Sequence, residues 1–318
     1  MTKPTYRIGI DLGGTNIVAG VMNDKYEIVA KFSTPTLADR PYTEVVKDMA
    51  MAVTEAMKEA GITLDQCASL GIGSPGTCDS AKGTIVYANN LHWSDVPLRE
   101  ELNKYLDIPV YISNDANCAA LGEVEAGSAK GKQNVIMVTL GTGVGGGIII
   151  DGKIFSGQNS AGAEIGHALL VMDGVLCTCG RKGCVEAYAS ATGLIRMTKE
   201  KMDECPDSVM HEITAKRGHV SGRTAFEAQR MGDEAGDQVV KYYVRCVAEG
   251  LIDLINIFRP EVIILGGGIS NEGPGLFDPL RAYINENCYG GLKTDVPGII
   301  PAVLGNDAGI IGAACLSE

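Results

Sequence analysis

Two segments of this chain follow one plan, and that repetition limits the fold more than composition does. Arg7-Ile8-Gly9-Ile10-Asp11 reads as a buried strand, Leu12-Gly13-Gly14-Thr15-Asn16 as a tight turn and Ile17-Val18-Ala19-Gly20-Val21-Met22 as the returning strand. Further on, Val135-Ile136-Met137-Val138-Thr139-Leu140 runs into Gly141-Thr142-Gly143. Gly147-Ile148-Ile149-Ile150 returns, and the turn signal Asp151-Gly152 closes it. Aligned at Ile8 and Ile136, both segments carry an apolar strand, a polar residue, Leu, Gly and a Gly/Thr tip. The match predicts two domains of one ancestral plan, facing each other across a cleft.

The tips have a chemistry of their own. Glycines let backbone amides approach phosphate oxygens, threonine hydroxyls add donors, and Asp11 at a strand end can hold Mg2+ or its waters. Two such tips could clamp a polyphosphate from both sides. A third glycine turn, Gly266-Gly267-Gly268, follows the apolar strand Val262-Ile263-Ile264-Leu265. Backbone stripped of side chains there could pass against an adenine or a ribose.

A second constellation is His167 with Cys177-Thr178-Cys179-Gly180-Arg181-Lys182-Gly183-Cys184. Three thiolates and one imidazole complete a tetrahedron for Zn2+ with no position open to water, which makes a structural site. Glu164 precedes His167 by three residues and Glu186 follows Cys184 by two, so the metal would fix where two carboxylates point. Such a pair suits a polyhydroxylated ligand. The other cysteines are scattered without framework spacing, as expected of reduced thiols.

With 318 residues the chain can build two ordinary domains, and 45% apolar residues with 41 glycines suit a globular α/β protein. A formal charge of -12 argues against a nucleic-acid partner, though backbone amides and Mg2+ can still hold an anionic nucleotide. No apolar leader precedes the strand at Tyr6 and no later run approaches a membrane span, so a cytoplasmic protein without a membrane partner is expected.

Val110-Tyr111-Ile112-Ser113 reads as a strand, and Asn114-Asp115 opens the small-residue helix from Ala116 to Glu123. Asp115 is either a helix cap or a base. A carboxylate beyond the end of a strand could orient a hydroxyl and take its proton as it attacks a terminal phosphate. Elsewhere, Thr43 to Ala60 reads as an amphipathic helix, Val240 to Phe258 as a longer apolar stripe ended by Pro260, and Ala308 to Leu316 as a capped final helix returning to the first domain. Lys199 to Asp237 is charged and weakly patterned, as surface helices and loops are.

Taken together, these residues resemble the ROK family of sugar kinases and related repressors, its bacterial glucokinase branch best, over nearly the whole chain. The resemblance rests on Asp11-Leu12-Gly13-Gly14-Thr15, Ser74-Pro75-Gly76, Asn114-Asp115-Ala116-Asn117, Gly141-Thr142-Gly143, Glu164-Ile165-Gly166-His167, the Cys177 to Glu186 stretch and Leu304-Gly305-Asn306-Asp307-Ala308-Gly309. It implies a two-lobed actin-like, ribonuclease-H-type ATPase fold, with residues 1–115 and 305–318 in one lobe and 116–304 in the other. It also implies ATP-dependent phosphorylation of a hexose, Mg2+, structural Zn2+ and a homodimer or homotetramer.

By position, Asp115 resembles the general base for the sugar 6-hydroxyl, and Asn114, Gly76, Asn89, Glu164, His167 and Glu186 resemble the sugar contacts. Gly13, Gly14, Thr15, Asn16, Gly141, Thr142 and Gly143 would hold the ATP phosphates, Asp11 would serve Mg2+, and Gly267 and Gly268 would lie near adenosine. Thr77-Cys78 departs from the Pro-Val of many glucokinases, while Asn89-Asn90-Leu91-His92-Trp93 resembles glucokinase more than fructokinase. D-Glucose is the substrate implied, ahead of N-acetylglucosamine, N-acetylmannosamine, allose or fructose. A non-catalytic sugar-sensing repressor would need a DNA-reading domain, for which the ten residues before Asp11 are too few.

Overall fold

The two matched hairpins open two five-stranded sheets. In the computed structural model, which describes residues 5–317, the strands in chain order are β1 (Tyr6–Leu12), β2 (Asn16–Met22), β3 (Ile28–Pro35), β4 (Cys67–Ser74), β5 (Thr77–Asp79), β6 (Thr84–Ala88) and β7 (Trp93–Val96). They continue with β8 (Val110–Asn114), β9 (Val135–Leu140), β10 (Val144–Ile150), β11 (Lys153–Ile154), β12 (Val262–Gly266) and β13 (Gly298–Pro301). The first sheet runs β3-β2-β1-β4-β8 and the second β11-β10-β9-β12-β13. Counted by order of appearance, each is third, second, first, fourth, fifth, so the repetition read from two hairpins extends to whole sheets. β1 pairs antiparallel with β2 and parallel with β4, which pairs parallel with β8. A small antiparallel sheet, β5-β6-β7, is inserted before β8.

The helices are α1 (Tyr42–Ala60), α2 (Leu98–Leu102), α3 (Asp115–Glu125), α4 (Glu186–Ala189), α5 (Ala191–Glu204), α6 (Met210–Arg217), α7 (Thr224–Arg230), α8 (Glu234–Phe258), α9 (Pro274–Asn287) and α10 (Ala308–Ala314). Among the described residues none is long and apolar enough to cross a membrane. The chain divides into two compact units. The first takes residues up to Met137, Gly147–Ala163 and the stretch from Ala302 onward; the second takes Val138–Gly146 and Glu164–Pro301.

In the first unit, α1 presents Val45, Val46, Met49, Ala52, Val53 and Ala56 to β2 and β3, the helical spacing expected from the sequence. Gly61 in the left-handed region (φ 68°) ends it, returning its N–H to Met57 and Lys58. The final helix, α10, lies flush on β1 and β4. A Cβ at Gly9 would stand 2.0 Å from the Ile310 carbonyl oxygen, and one at Gly71 would stand 1.7 Å from that of Ala313. Only glycine lets the helix backbone come this close.

In the second unit, α8 is longer than its apolar stripe. Asp233 caps it by accepting from Gly236 N at 2.7 Å, which carries the helix back to Glu234, and Arg259 in the left-handed region ends it just before Pro260. Its fully buried Tyr243 donates to the Ala189 carbonyl at 2.8 Å and meets Phe226 edge-on. The charged 199–237 region thus contributes core as well as surface, since Met210, Thr224, Ala225 and Phe226 are all completely buried.

Gly71→Ala tests the flush contact of α10. With no flexible atom to yield, the variant is expected to lose about 3 kcal/mol or more of stability; a urea midpoint equal to that of the parent protein would rule the contact out.

Candidate active site and metal centre

The first unit gathers Asp11, the first tip, Gly76, Asn89, Asn114 and Asp115 through a series of short contacts. The tip is closed by Gly13 N to Asn16 O at 2.9 Å and pinned from outside by the fully buried Thr36, whose hydroxyl donates to Gly13 O at 2.6 Å. A Cβ at Gly14 would come within 3.2 Å of the Asn90 carbonyl oxygen, so the tip lies beside the turn that carries Asn89. Asn89 in turn accepts from the Tyr87 hydroxyl at 3.2 Å. Gly76, in the left-handed region at φ 87°, leaves no room for a Cβ, which would sit 2.1 Å from the Tyr87 carbonyl oxygen. Asn114 Nδ2 donates to Gly76 O at 3.1 Å and so ties the end of β8 to this loop.

The structure decides between the two readings of Asp115 as far as capping is concerned. Asn114 is the cap of α3, its Oδ1 accepting from Ala116 N at 2.9 Å and Asn117 N at 3.3 Å. Asp115 is the first helical residue and is exposed, with Oδ1 accepting from Ala116 N at 2.8 Å. Asp115 also bears on Asp11, whose carboxyl is pushed up to about 6, first by burial and then by the negative charge of Asp115. Two acids so placed suit a cation that would relieve both.

The second unit gathers the other tip, the third glycine turn and the thiol cluster. Gly141 N donates to Gly143 O at 3.0 Å. Thr192 and Ala191 hold the tip from behind, the threonine hydroxyl donating to Thr142 O at 2.7 Å and Ala191 N to Gly141 O at 2.8 Å. Gly267 (φ 83°) passes directly over Leu140, where a Cβ would stand 2.5 Å from the carbonyl, so 266–268 and 141–143 are neighbours. Gly268 is exposed beside it.

His167, Cys177, Cys179 and Cys184 converge with all four ligand atoms within 4.8 Å of one another. Cys179 and Cys184 sulfurs are 3.7 Å apart, as are Cys177 Sγ and His167 Nδ1. A tetrahedron with arms of about 2.3 Å has edges of about 3.8 Å, so these two edges match the spacing a Zn2+ ion asks of its donors. The backbone N–H of Arg181 draws the Cys179 thiol down, whereas burial pushes that of Cys184 up to about 12. A cation would pay for the latter. The loop is shaped by Gly180 (φ 88°) and Gly183 (φ 83°), the latter packed so closely on Val171 that a Cβ would stand 1.7 Å from its carbonyl oxygen.

Glu186, at the start of α4, joins this cluster to the tip. Its Oε1 accepts from Thr178 Oγ1 at 2.9 Å and from Cys177 Sγ at 3.6 Å, while Oε2 accepts from Val144 N at 3.1 Å beside Gly143. Glu164 precedes the single turn 165–167, where His167 N returns to Glu164 O at 3.0 Å, and it is exposed. Sequence reading passed over Thr178, Thr192 and Thr36. Thr178 had one available signal, its place between two ligand cysteines; the other two act through contacts far along the chain.

Twin five-stranded sheets, each entered through a glycine-tipped hairpin and capped by helices, define an actin-like fold of the hexokinase type. The chain belongs to the ROK family, whose model matches residues 7–318. It is 37% identical over 315 residues to a glucokinase of Streptomyces coelicolor, covering 98% of this chain and 97% of that one. It is 34% identical over 314 residues to a glucokinase of Thermotoga maritima, covering 97% and 96%. Among solved structures it is similar to a ROK family glucokinase from Streptomyces griseus in complex with glucose and AMPPNP, with a TM-score of 0.79 and 35% identity over 98% of this chain and 99% of that one.

The raised carboxyl of Asp11 carries a prediction for stability. Its folded value of about 6 exceeds the 3.8 of a free side chain. Ionisation therefore opposes folding: the stabilising effect is complete below about pH 4 and is lost as pH rises through 6. Asp11→Asn removes that penalty, so the ligand-free variant is expected to gain on the order of 2 kcal/mol above pH 6, with the gain fading toward pH 4. Coincident melting curves at pH 7.5 would refute it.

Proposed function

We propose that the protein is a glucokinase, transferring the terminal phosphoryl group of ATP to the 6-hydroxyl of D-glucose to give glucose 6-phosphate and ADP. The observation that carries this reading is the likeness, over nearly the full length, to glucokinases and to a structure holding glucose and AMPPNP. The exposed Asp115, relieved of capping by Asn114, supports its role as general base.

The lobes expected at 1–115 with 305–318 and at 116–304 correspond to the two compact units, except that the first unit also takes residues 116–137, 147–163 and 302–304. The sugar hydroxyls are held by Gly76, Asn89, Asn114, Glu164, His167 and Glu186, with His167 turning Nδ1 to the metal and Nε2 to the sugar. The ATP phosphates lie along Gly13, Gly14, Thr15, Asn16, Gly141, Thr142 and Gly143, with adenosine near Gly267 and Gly268. Asp115 takes the proton as O6 attacks the terminal phosphorus, and the bridging oxygen leaves with ADP. Mg2+, served by Asp11, would supply charge neutralisation on the phosphates; positioning does most of the remaining work, because phosphoryl transfer asks little covalent chemistry of a protein. His167, Cys177, Cys179 and Cys184 would hold Zn2+ in a structural role, which would fix Glu186 through the loop. The enzyme acts in the cytoplasm as a homodimer or homotetramer, with neither nucleic acid nor membrane as a partner.

An ADP-release assay over a panel of hexoses and N-acetylhexosamines tests the reading. Glucose should give the highest kcat/KM; absence of turnover with every sugar would overturn the assignment, and preference for an N-acetylhexosamine would move it to another substrate. Asp115→Asn should still bind sugar while kcat falls by roughly two to four orders of magnitude. For the metal, about one zinc per chain is expected, and chelation should lower Tm and glucose affinity together. Fully active protein free of zinc would remove the metal from the account.

A further inference from the structure

One acid outside both clusters is completely hidden. Glu123 lies on α3 about two turns beyond Asp115 and is 0% exposed. Four donors meet it. Val303 N and Leu304 N both reach Oε1 at 2.8 Å; Ser128 N reaches Oε2 at 2.8 Å and Ser128 Oγ at 3.0 Å. Space is kept for it as well, because a Cβ at Gly127 would stand 2.1 Å from Oε2. Only an acceptor on both oxygens satisfies this arrangement; an amide would set N–H against N–H on one side.

The partners it holds are informative. Val303 and Leu304 follow directly on Ala302, where the chain returns to the first unit, and they lead through Gly305–Asp307 into α10. α10 and α3 touch backbone to backbone: a Cβ at Gly312 would stand 1.6 Å from the Cys118 carbonyl oxygen and one at Gly122 would stand 2.3 Å from that of Ala308. The start of α10 faces the other acid, with Gly309 Cβ space 3.5 Å from the Asp11 carboxyl carbon.

We propose that Glu123 is a positioning residue that latches the returning segment 302–304 to α3, so that Asp115 on one helix and the backbone against Asp11 on the other are held as one rigid piece. For its effect on turnover this rests on the kinase reading; the latch itself does not. A merely structural acid would alter stability and leave turnover of the folded protein unchanged.

Glu123→Gln keeps the shape and breaks one of the two clasps, and Gly127→Ala displaces Oε2 with Glu123 in place. Hydrogen exchange at the Val303 and Leu304 amides, slow in the parent protein, should quicken in Glu123→Gln. Well below its unfolding temperature, that variant should show kcat lowered about tenfold to a hundredfold, the scale of a small misplacement of reacting groups. KM for glucose should stay within about twofold of the parent value, and Glu123→Asp should recover part of kcat. Should Glu123→Gln fail to fold, Gly127→Ala carries the same measurements. Unprotected amides at 303 and 304 in the parent protein would overturn the latch, and parental kcat in a folded variant would overturn its positioning role. If the parent protein turns over no sugar, the kinase reading fails and the exchange result still decides the latch.

Discussion

Close passage of one backbone over another is the constraint on which the first unit depends. α10 sits on β1 and β4 at Gly9 and Gly71 and on α3 at Gly122 and Gly312, and in each place a single methyl group would collide with a carbonyl oxygen. Such contacts have no compliant atom, so they fix position far more sharply than interdigitated side chains do. The acids inherit that precision. Asp115 heads α3, and the Asp11 carboxyl lies against the first turn of α10, so their mutual charge effect follows from where three backbones meet.

The second unit adds side-chain contacts to close glycine packing of its own at Gly267 and Gly183. Its tip is held by side chains, Thr192 from one side and Glu186 from another, and Glu186 is itself tied to the thiol loop through Thr178. A metal held there would organise more than its four ligands. The carboxylate two residues beyond Cys184 bonds the tip amide of Val144, so the loop, the acid and the tip form one hydrogen-bonded unit. Both hairpin tips are held by side chains, the first by the Thr36 hydroxyl and the second by Thr192 and Glu186, and the second alone is tied to a thiol loop.

Apolar runs punctuated by glycine made the hairpins and the third turn legible in the sequence, and the alignment at Ile8 and Ile136 foretold a repetition that the strand orders extend. Cysteine spacing likewise made legible the convergence of His167, Cys177, Cys179 and Cys184. Asp115 was left between two roles because a cap and a base use the same side chain at the same end of a helix; the geometry gives capping to Asn114. Contacts across long stretches of chain left no periodic trace. Glu123 meets Val303 across 180 positions, and nothing in the local pattern of either segment announces the other. In the 199–237 stretch, abundant charge obscured short apolar runs, and Phe226 entered the core unannounced.

The strand that begins the first sheet is covered by the helix that ends the chain. During synthesis, therefore, β1 and β4 emerge from the ribosome long before α10 exists to lie on them, and the glycine-lined face waits through some two hundred further residues of translation. Non-local closure of this sort raises contact order and delays completion of the fold. The nascent chain consequently passes through a stage in which the face of β1 and β4 lacks the helix that later covers it.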